Sequence, residues 1–342
     1  MTSTQSPPDA APVGPSPTAA RPQRRSGRDA RGRVRDRGMS RVFRWLATGA
    51  GALILVVLAA VAVFLVVKAW PAMTEPTDKL VAEVPWLHGA SSLLAFVGPL
   101  IFGTVLAAAL ALVIATPVAL GIALFISHYA PRRLASGLGY VVDLLAAIPS
   151  VVYGLWGGLV LAPFVQPVWA WLGAHLGWIP FFSGDVSPTA RVLLTVGLVL
   201  AVMILPIITA VSREVFLQTP RLHEEAALAL GATRWEMIQT AVLPFARSGV
   251  VSAAMLGLGR ALGETMAVLM ILSPGFLYSF KLLVAGQQQT IAANIAAQFA
   301  EATPMSVSAL IATGLALFVI TLVVNMTARW IVSRRKEFSG AN

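Results

Sequence analysis

The sequence predicts an all-α polytopic membrane protein of six transmembrane helices, with a long polar loop between the fourth and fifth. Composition is the first reason. Of 342 residues, 57% are hydrophobic and only 12% charged, against about 25% charged in an ordinary soluble domain. The mean hydropathy of +0.78 agrees. The second reason is a series of apolar runs of spanning length. The third is the asymmetric placement of the basic residues between those runs.

Residues 1–42 are rich in Pro, Ser, Ala and Arg and are expected to form a disordered cytoplasmic tail, because they cannot bury enough surface to offset chain entropy. Ten arginines lie between Arg21 and Arg44. They read either as a nucleic-acid arm or as a topogenic tail, and the apolar run that follows at once favours the tail, so no nucleic-acid partner is expected. The basic stretch and the run after it are both too long for a signal peptide.

That run, Trp45–Val67, spans about 34 Å as a helix, enough for a hydrocarbon core of about 30 Å. With its flank it defines a first transmembrane segment at 43–67. From Val84 to Pro131 there is no formal charge, and Pro99 and Pro117 punctuate the stretch. A second span is read at about 100–127, preceded by a short outer segment. Further spans are read at about 138–165, Val192–Ser212, about 248–272 and about 306–328. In lipid each must satisfy its own backbone groups and is therefore a helix. The spans from 95 to 331 form one core, and 332–342 a cytoplasmic C-terminal tail.

With the N-terminus inside, the inner segments carry twenty basic residues and the outer loops only Lys68, Lys79, Arg191 and Lys281. The bias predicts a multi-pass cell-membrane protein with both termini cytoplasmic. The net charge of +10 is thus mainly an orientation signal. The absence of cysteine excludes disulfides, thiolate metal sites and cysteine nucleophiles. His88, His128, His175 and His223 form no H-x-x-x-H pair, so no metal site is inferred. The aromatics Trp169, Trp171, Trp178, Phe181 and Phe182 of the outer loop 166–190 read as interface anchors, with a dock for a binding protein as the alternative. The loop 273–305, with Gln287 to Gln289 and Asn294, is polar without a charge cluster.

The inner loop 213–247 is patterned as two short helices. Thr219 is positioned to cap the first, with Pro220 in its first turn, and Gly231 is a natural stop. Thr233-Arg-Trp-Glu236 reads as a capping box opening the second, which Pro244 delimits. Periodicity leaves two readings open: a knob that fits a groove in another protein, or an amphipathic loop on the membrane surface. None of Lys68, Lys79, Lys281 and Lys336 follows a glycine, so the chain has no phosphate-binding P-loop. Any ATP hydrolysis belongs to another polypeptide.

Three charges fall within the expected spans, Asp143, Arg260 and Glu264. Each costs about 3 kcal/mol at mid-helix and needs a partner or a wet cavity. Arg260 and Glu264, four apart, are expected to share a helix face and neutralise each other. Either Arg260 attracts an anion along an aqueous path, with Glu264 positioning its guanidinium, or the two form a structural ion pair. The planar guanidinium suits phosphate. Gly257, Gly259 and Gly263 make a small face suited to close helix approach.

Glu225-Ala226-Ala227-x3-Gly231-x9-Ala241-x-Leu243-Pro244 resembles the EAA loop of ABC importer permeases, departing only at Ala241, where the pattern usually has Ile. The segments Arg260-Ala-Leu-Gly-Glu264-Thr-Met-Ala-Val268, Leu144 to Gly157 and Gly121 to Arg132 resemble PstC permeases of phosphate transport systems. That resemblance implies a type I ABC importer permease fold. It further implies a heterodimer with a PstA-type permease, two PstB-type ATPase subunits and a PstS-type extracytoplasmic phosphate-binding protein. No cofactor is expected on this chain, since ATP would be bound by the partner. The resemblance assigns Glu225, Ala226, Ala227, Gly231, Leu243 and Pro244 to ATPase coupling, and Arg260 and Glu264 to the substrate path. Alternatives of other classes are a molybdate or sulfate permease, an intramembrane enzyme using Glu264, Asp143 and a histidine, and a passive anion channel.

Overall fold

The computed structural model describes residues 28–87 and 90–334. Most of the expected N-terminal tail, the end of the C-terminal tail and His88 lie outside the described residues. By internal contacts the chain divides into Met1–Ala60 and Val61–Asn342. In the first unit the described part is helical from Arg28, and the helix takes in the whole of 28–42, a stretch expected to lack structure. Arginine is a good helix former, and a helix nucleated in the apolar run propagates back through it. The apolar side chains from Trp45 to Leu58 are exposed on this helix, as on a lipid-facing span.

Among the described residues six helices are long and apolar enough to cross a membrane: Val42–Thr74, Leu93–Tyr129, Ser150–Leu176, Leu193–Leu217, Arg234–Leu262 and Pro304–Trp330. No strand occurs among the described residues. The number of spans agrees with the sequence reading, and several boundaries do not: span one runs on to Thr74, span two starts at Leu93 and span three ends at Leu176. Span three begins at Ser150, because the helix Arg132–Ala146 stops before Pro149 and a new one starts after it. A residue preceding proline is pushed out of helical geometry, so Pro149 separates the two. Asp143 accordingly lies on the connecting helix, exposed, and not inside a span. Span five ends at Leu262 and is followed by a separate helix, Met266–Ile271. At its other end span five runs unbroken from Arg234 through Pro244. A single π turn, Ile238–Val242, precedes that proline and absorbs the missing N–H, so the expected second loop helix is the start of the span.

The core of the second unit is built on spans two and four. Ala107, Ala111, Ala115 and Ala119 recur every fourth residue, giving span two a smooth buried stripe. Val196, Leu200, Met203 and Ile204 of span four belong to the same cluster. Span four allows the close approach at Gly197, where a Cβ would overlap the Leu110 side chain. Thr209 Oγ1 donates to the Ala119 carbonyl at 3.4 Å across the same seam. Span three is tied in by Trp169 Nε1, which donates to Thr195 Oγ1 at 2.9 Å. Trp169 is therefore a buried core residue of span three and not a membrane-interface anchor; Trp171, Trp178 and Phe181 are exposed.

The stretch after Ile271 is also ordered by packing. Leu277 N–H donates to the Gln287 carbonyl, and Leu282 N–H to that of Phe181. Gln288, Gln289 and Asn294 are buried, with Gln288 Nε2 donating to the Ser279 and Lys281 carbonyls. Gln288 thereby ties the loop to itself, and the burial of all three amides keeps them from the surface of this chain.

Candidate functional site

Two of the segments that carry the resemblance meet in space. Gly154 of span three faces the helix Met266–Ile271 so closely that a Cβ there would lie 2.9 Å from the Ala267 Cα. A Cβ at Gly157 would lie 2.6 Å from Ile271 and equally near Val199. Glycine is required here for backbone proximity. Tyr153, between the break at Pro149 and these glycines, donates its hydroxyl to the Leu145 carbonyl at 3.0 Å. The connecting helix is thereby latched to the start of span three.

This packing depends on the break after Leu262. Gly263 is the cap of span five, and Glu264 falls in the gap before the next helix. Its Oε1 accepts from the Ala267 N–H at 3.1 Å, and the residue is 8% exposed. Glu264 therefore serves as a backbone anchor for the short helix. No ion pair joins it to Arg260 among the described residues, which corrects the expected mutual neutralisation. The i,i+4 relation exists only within a continuous helix, and the helix ends between the two residues. Glu264→Gln keeps an acceptor for Ala267 and is expected to leave the melting temperature close to that of the parent. Glu264→Ala orphans a buried N–H and should cost about 1–3 kcal/mol. Equal melting temperatures for the two variants would remove the anchoring role.

Arg260 lies in the last turn of span five, half-buried, and its Nε is buried without a hydrogen-bond partner among the described residues. It lines a cavity of about 840 Å³ together with Ile207, Ser252, Gly259, Asn325 and Arg329. The small face divides by function. Gly257 takes the close approach, with Ile208 Cδ1 at 2.9 Å from where a Cβ would sit, whereas a Cβ at Gly259 would meet nothing within 4 Å. Gly259 thus borders open space and packs against no helix among the described residues. Sequence reasoning placed Arg329 only among the orienting charges and did not single out Asn325. Their four-residue spacing on span six was the available signal.

A second constellation lies in the loop between spans four and five. The helix Arg221–Ala229 has Pro220 at its N-cap with no side-chain cap, and the Thr219 hydroxyl is buried without a partner among the described residues. This replaces the expected Thr219 cap. The C-terminal end follows the sequence. Gly231 has φ +89°, its N–H donates to the Leu228 carbonyl, and the Ala232 N–H reaches back to that of Ala227. This is a Schellman closure, in which glycine takes the left-handed position. The capping box forms as well: Thr233 Oγ1 accepts from the Glu236 N–H at 3.3 Å, and Glu236 Oε2 accepts from the Thr233 N–H at 2.7 Å.

No residue of the helix Arg221–Ala229 is buried, and at its end Leu230 is 90% exposed. Glu225 and Ala226 point outward, whereas Ala227 and Leu243 pack on a cluster of Ala123, Phe216, Ile238 and Val242. Ile238 and Val242 supply the apolar burial beside Ala241, so the departure from the usual Ile leaves the seat intact. Pro244 is exposed on the same continuous helix. The loop helix has one further tie, absent from the sequence reading. Glu224 Oε1 lies 3.7 Å from Nε2 of His128, whose Nδ1 meets Ser127 Oγ at 2.7 Å. His128 stands in the π turn Phe125–Tyr129 that ends span two.

Residues 115–337 match the family described as binding-protein-dependent transport system inner membrane component. The chain is 47% identical over 299 residues to phosphate transport system permease protein PstC 2 of Mycobacterium tuberculosis, covering 85% of this chain and 91% of the relative. It is 38% identical over 326 residues to the PstC protein of Mesorhizobium japonicum, covering 94% and 98%. Among solved structures, a bacterial ABC transporter that imports the acidic polysaccharide alginate has a chain matching at a TM-score of 0.53 with 17% identity. That match covers 88% of this chain and 99% of the other. At these identities the structural match speaks to the fold alone.

Proposed function

The chain belongs to the binding-protein-dependent transport system inner membrane components and, among them, to the PstC permeases of phosphate transport systems, and from that premise we propose how its two constellations divide the work. It is a multi-pass membrane permease subunit of an ATP-driven phosphate importer, a transport component and not an enzyme. Arg260 offers the anion a guanidinium in the membrane, and the loop helix Arg221–Ala229 receives the ATPase stroke. The observation that carries the first role is Arg260 on the wall of an open cavity with no ion pair among the described residues. A cation so placed attracts an oxyanion that enters the cavity.

The path is completed by a PstA-type permease. Two PstB-type ATPase subunits bind below, one taking the exposed Glu225–Gly231 surface, and a PstS-type protein delivers phosphate from outside. The concentration of basic residues in alternate loops supports cytoplasmic N- and C-termini. ATP-driven closure of the ATPase pair pushes the loop helix. Through Ala227 and the Glu224–His128 contact the push reaches spans five and two, alternating access to Arg260.

The test is selectivity of the assembled complex. Vesicles containing the four-component transporter, with ATP on the ATPase side, are expected to accumulate labelled phosphate. Unlabelled phosphate should compete and molybdate or sulfate should not. Equal competition by molybdate would replace the phosphate reading with that of a general oxyanion permease.

A further inference from the structure

The cavity that receives Arg260 holds a second guanidinium, on the neighbouring span. We propose that Arg329, with Asn325 and Ser252, forms a second subsite for a phosphate group, on the inner side of Arg260 between spans five and six. The proposal rests on the reading of the chain as a phosphate permease and extends it from one residue to a two-station path.

Two helix faces define the cavity. Ser252, Met255, Leu256 and Gly259 recur at three- and four-residue spacing along one face of span five. Asn325, Ala328 and Arg329 do the same on span six. Nothing of this chain fills the space between them at Gly259. The polar groups that line it are two guanidiniums, an amide and a hydroxyl, and no Asp or Glu is among the lining residues. Neither Arg260 nor Arg329 makes an ion pair among the described residues.

Two permanent cations on one cavity, half-buried Arg260 and exposed Arg329, with Ile207, Val251, Met255 and Leu256 as apolar wall, attract an anion into it. A phosphate group matches this arrangement, because each guanidinium fork donates two hydrogen bonds to one oxyanion. The volume of about 840 Å³ exceeds what one dehydrated ion needs, so the group arrives hydrated or attached to something larger. Two sources fit that chemistry: inorganic phosphate leaving Arg260 for the inner side, and the headgroup of an anionic phospholipid. Arg329, at the end of the last span, stands where either would arrive.

The complete transporter, with ATP enclosed, is reconstituted in vesicles of phosphatidylcholine alone and of phosphatidylcholine with phosphatidylglycerol. Phosphate loaded on the inner side should slow uptake by occupying the subsite. For a free-phosphate site, Arg329→Ala is expected to raise the half-inhibiting inner phosphate concentration about tenfold in both vesicle types, with Arg329→Lys intermediate. Gly259→Leu, which fills open space without a clash, should act in the same direction. For a headgroup site, the parent complex should be faster with phosphatidylglycerol and Arg329→Ala should lose that dependence. Either pattern supports the subsite and names its occupant. Arg329→Ala and Gly259→Leu complexes that match the parent in both vesicle types overturn it. A parent complex that takes up no phosphate in either vesicle type overturns instead the reading of the chain as a phosphate permease.

Discussion

Arg260→Ala is expected to reduce ATP-driven phosphate uptake by about 10- to 100-fold, the loss of a charge-assisted, bidentate contact in a low-dielectric site. Alanine leaves the fold intact, because Arg260 makes no ion pair among the described residues and faces an open cavity. ATP hydrolysis stimulated by the loaded binding protein should therefore persist while transport falls. Arg260→Lys keeps the charge but loses the planar fork, and should recover part of the rate. The measurement is initial uptake in reconstituted vesicles beside ATPase activity. Undiminished uptake by the alanine variant would place the anion path elsewhere.

Gly231→Val is the second large effect. Position 231 has φ +89°, which a β-branched residue adopts only under strain, at a cost of about 1–2 kcal/mol or more. No neighbour would clash with the new Cβ, so the whole penalty falls on the Schellman closure of the loop helix. That helix contributes no buried residue, and its loss leaves the bundle standing. The expected outcome is a membrane-inserted permease that no longer retains its ATPase on affinity purification and transports at a few per cent or less of the parent rate. Gly231→Asn, which tolerates the left-handed region better, should retain more of both properties. Retention of the ATPase by Gly231→Val would show that the coupling surface lies outside this helix.

Local features were legible without a structure. The capping box at Thr233 and Glu236 and the turn at Gly231 are written in neighbouring residues, and both form as read. The EAA positions divide in space, with Glu225, Ala226 and Pro244 exposed and Ala227 and Leu243 packed inward. The tie between Glu224 and His128 was not legible, since nearly a hundred residues separate the two and only packing of span two against the loop joins them. Trp169 is a similar case: an aromatic near a span end reads as an anchor until its partner, Thr195 on another span, is known.

The sequence by itself determined that this is a six-span membrane protein with a long polar loop between the fourth and fifth spans, because apolar length and charge bias are properties of continuous segments. It also placed Arg260 and Glu264 near one another. Only the tertiary structure decided that they do not pair, because the helix stops at Leu262 and Glu264 turns to anchor the next one. It also placed Asp143 outside the candidate spans, through the break at Pro149, and brought Arg329 to the cavity of Arg260. Helix periodicity says which residues share a face, but not where a helix ends under packing or which face of another span it meets.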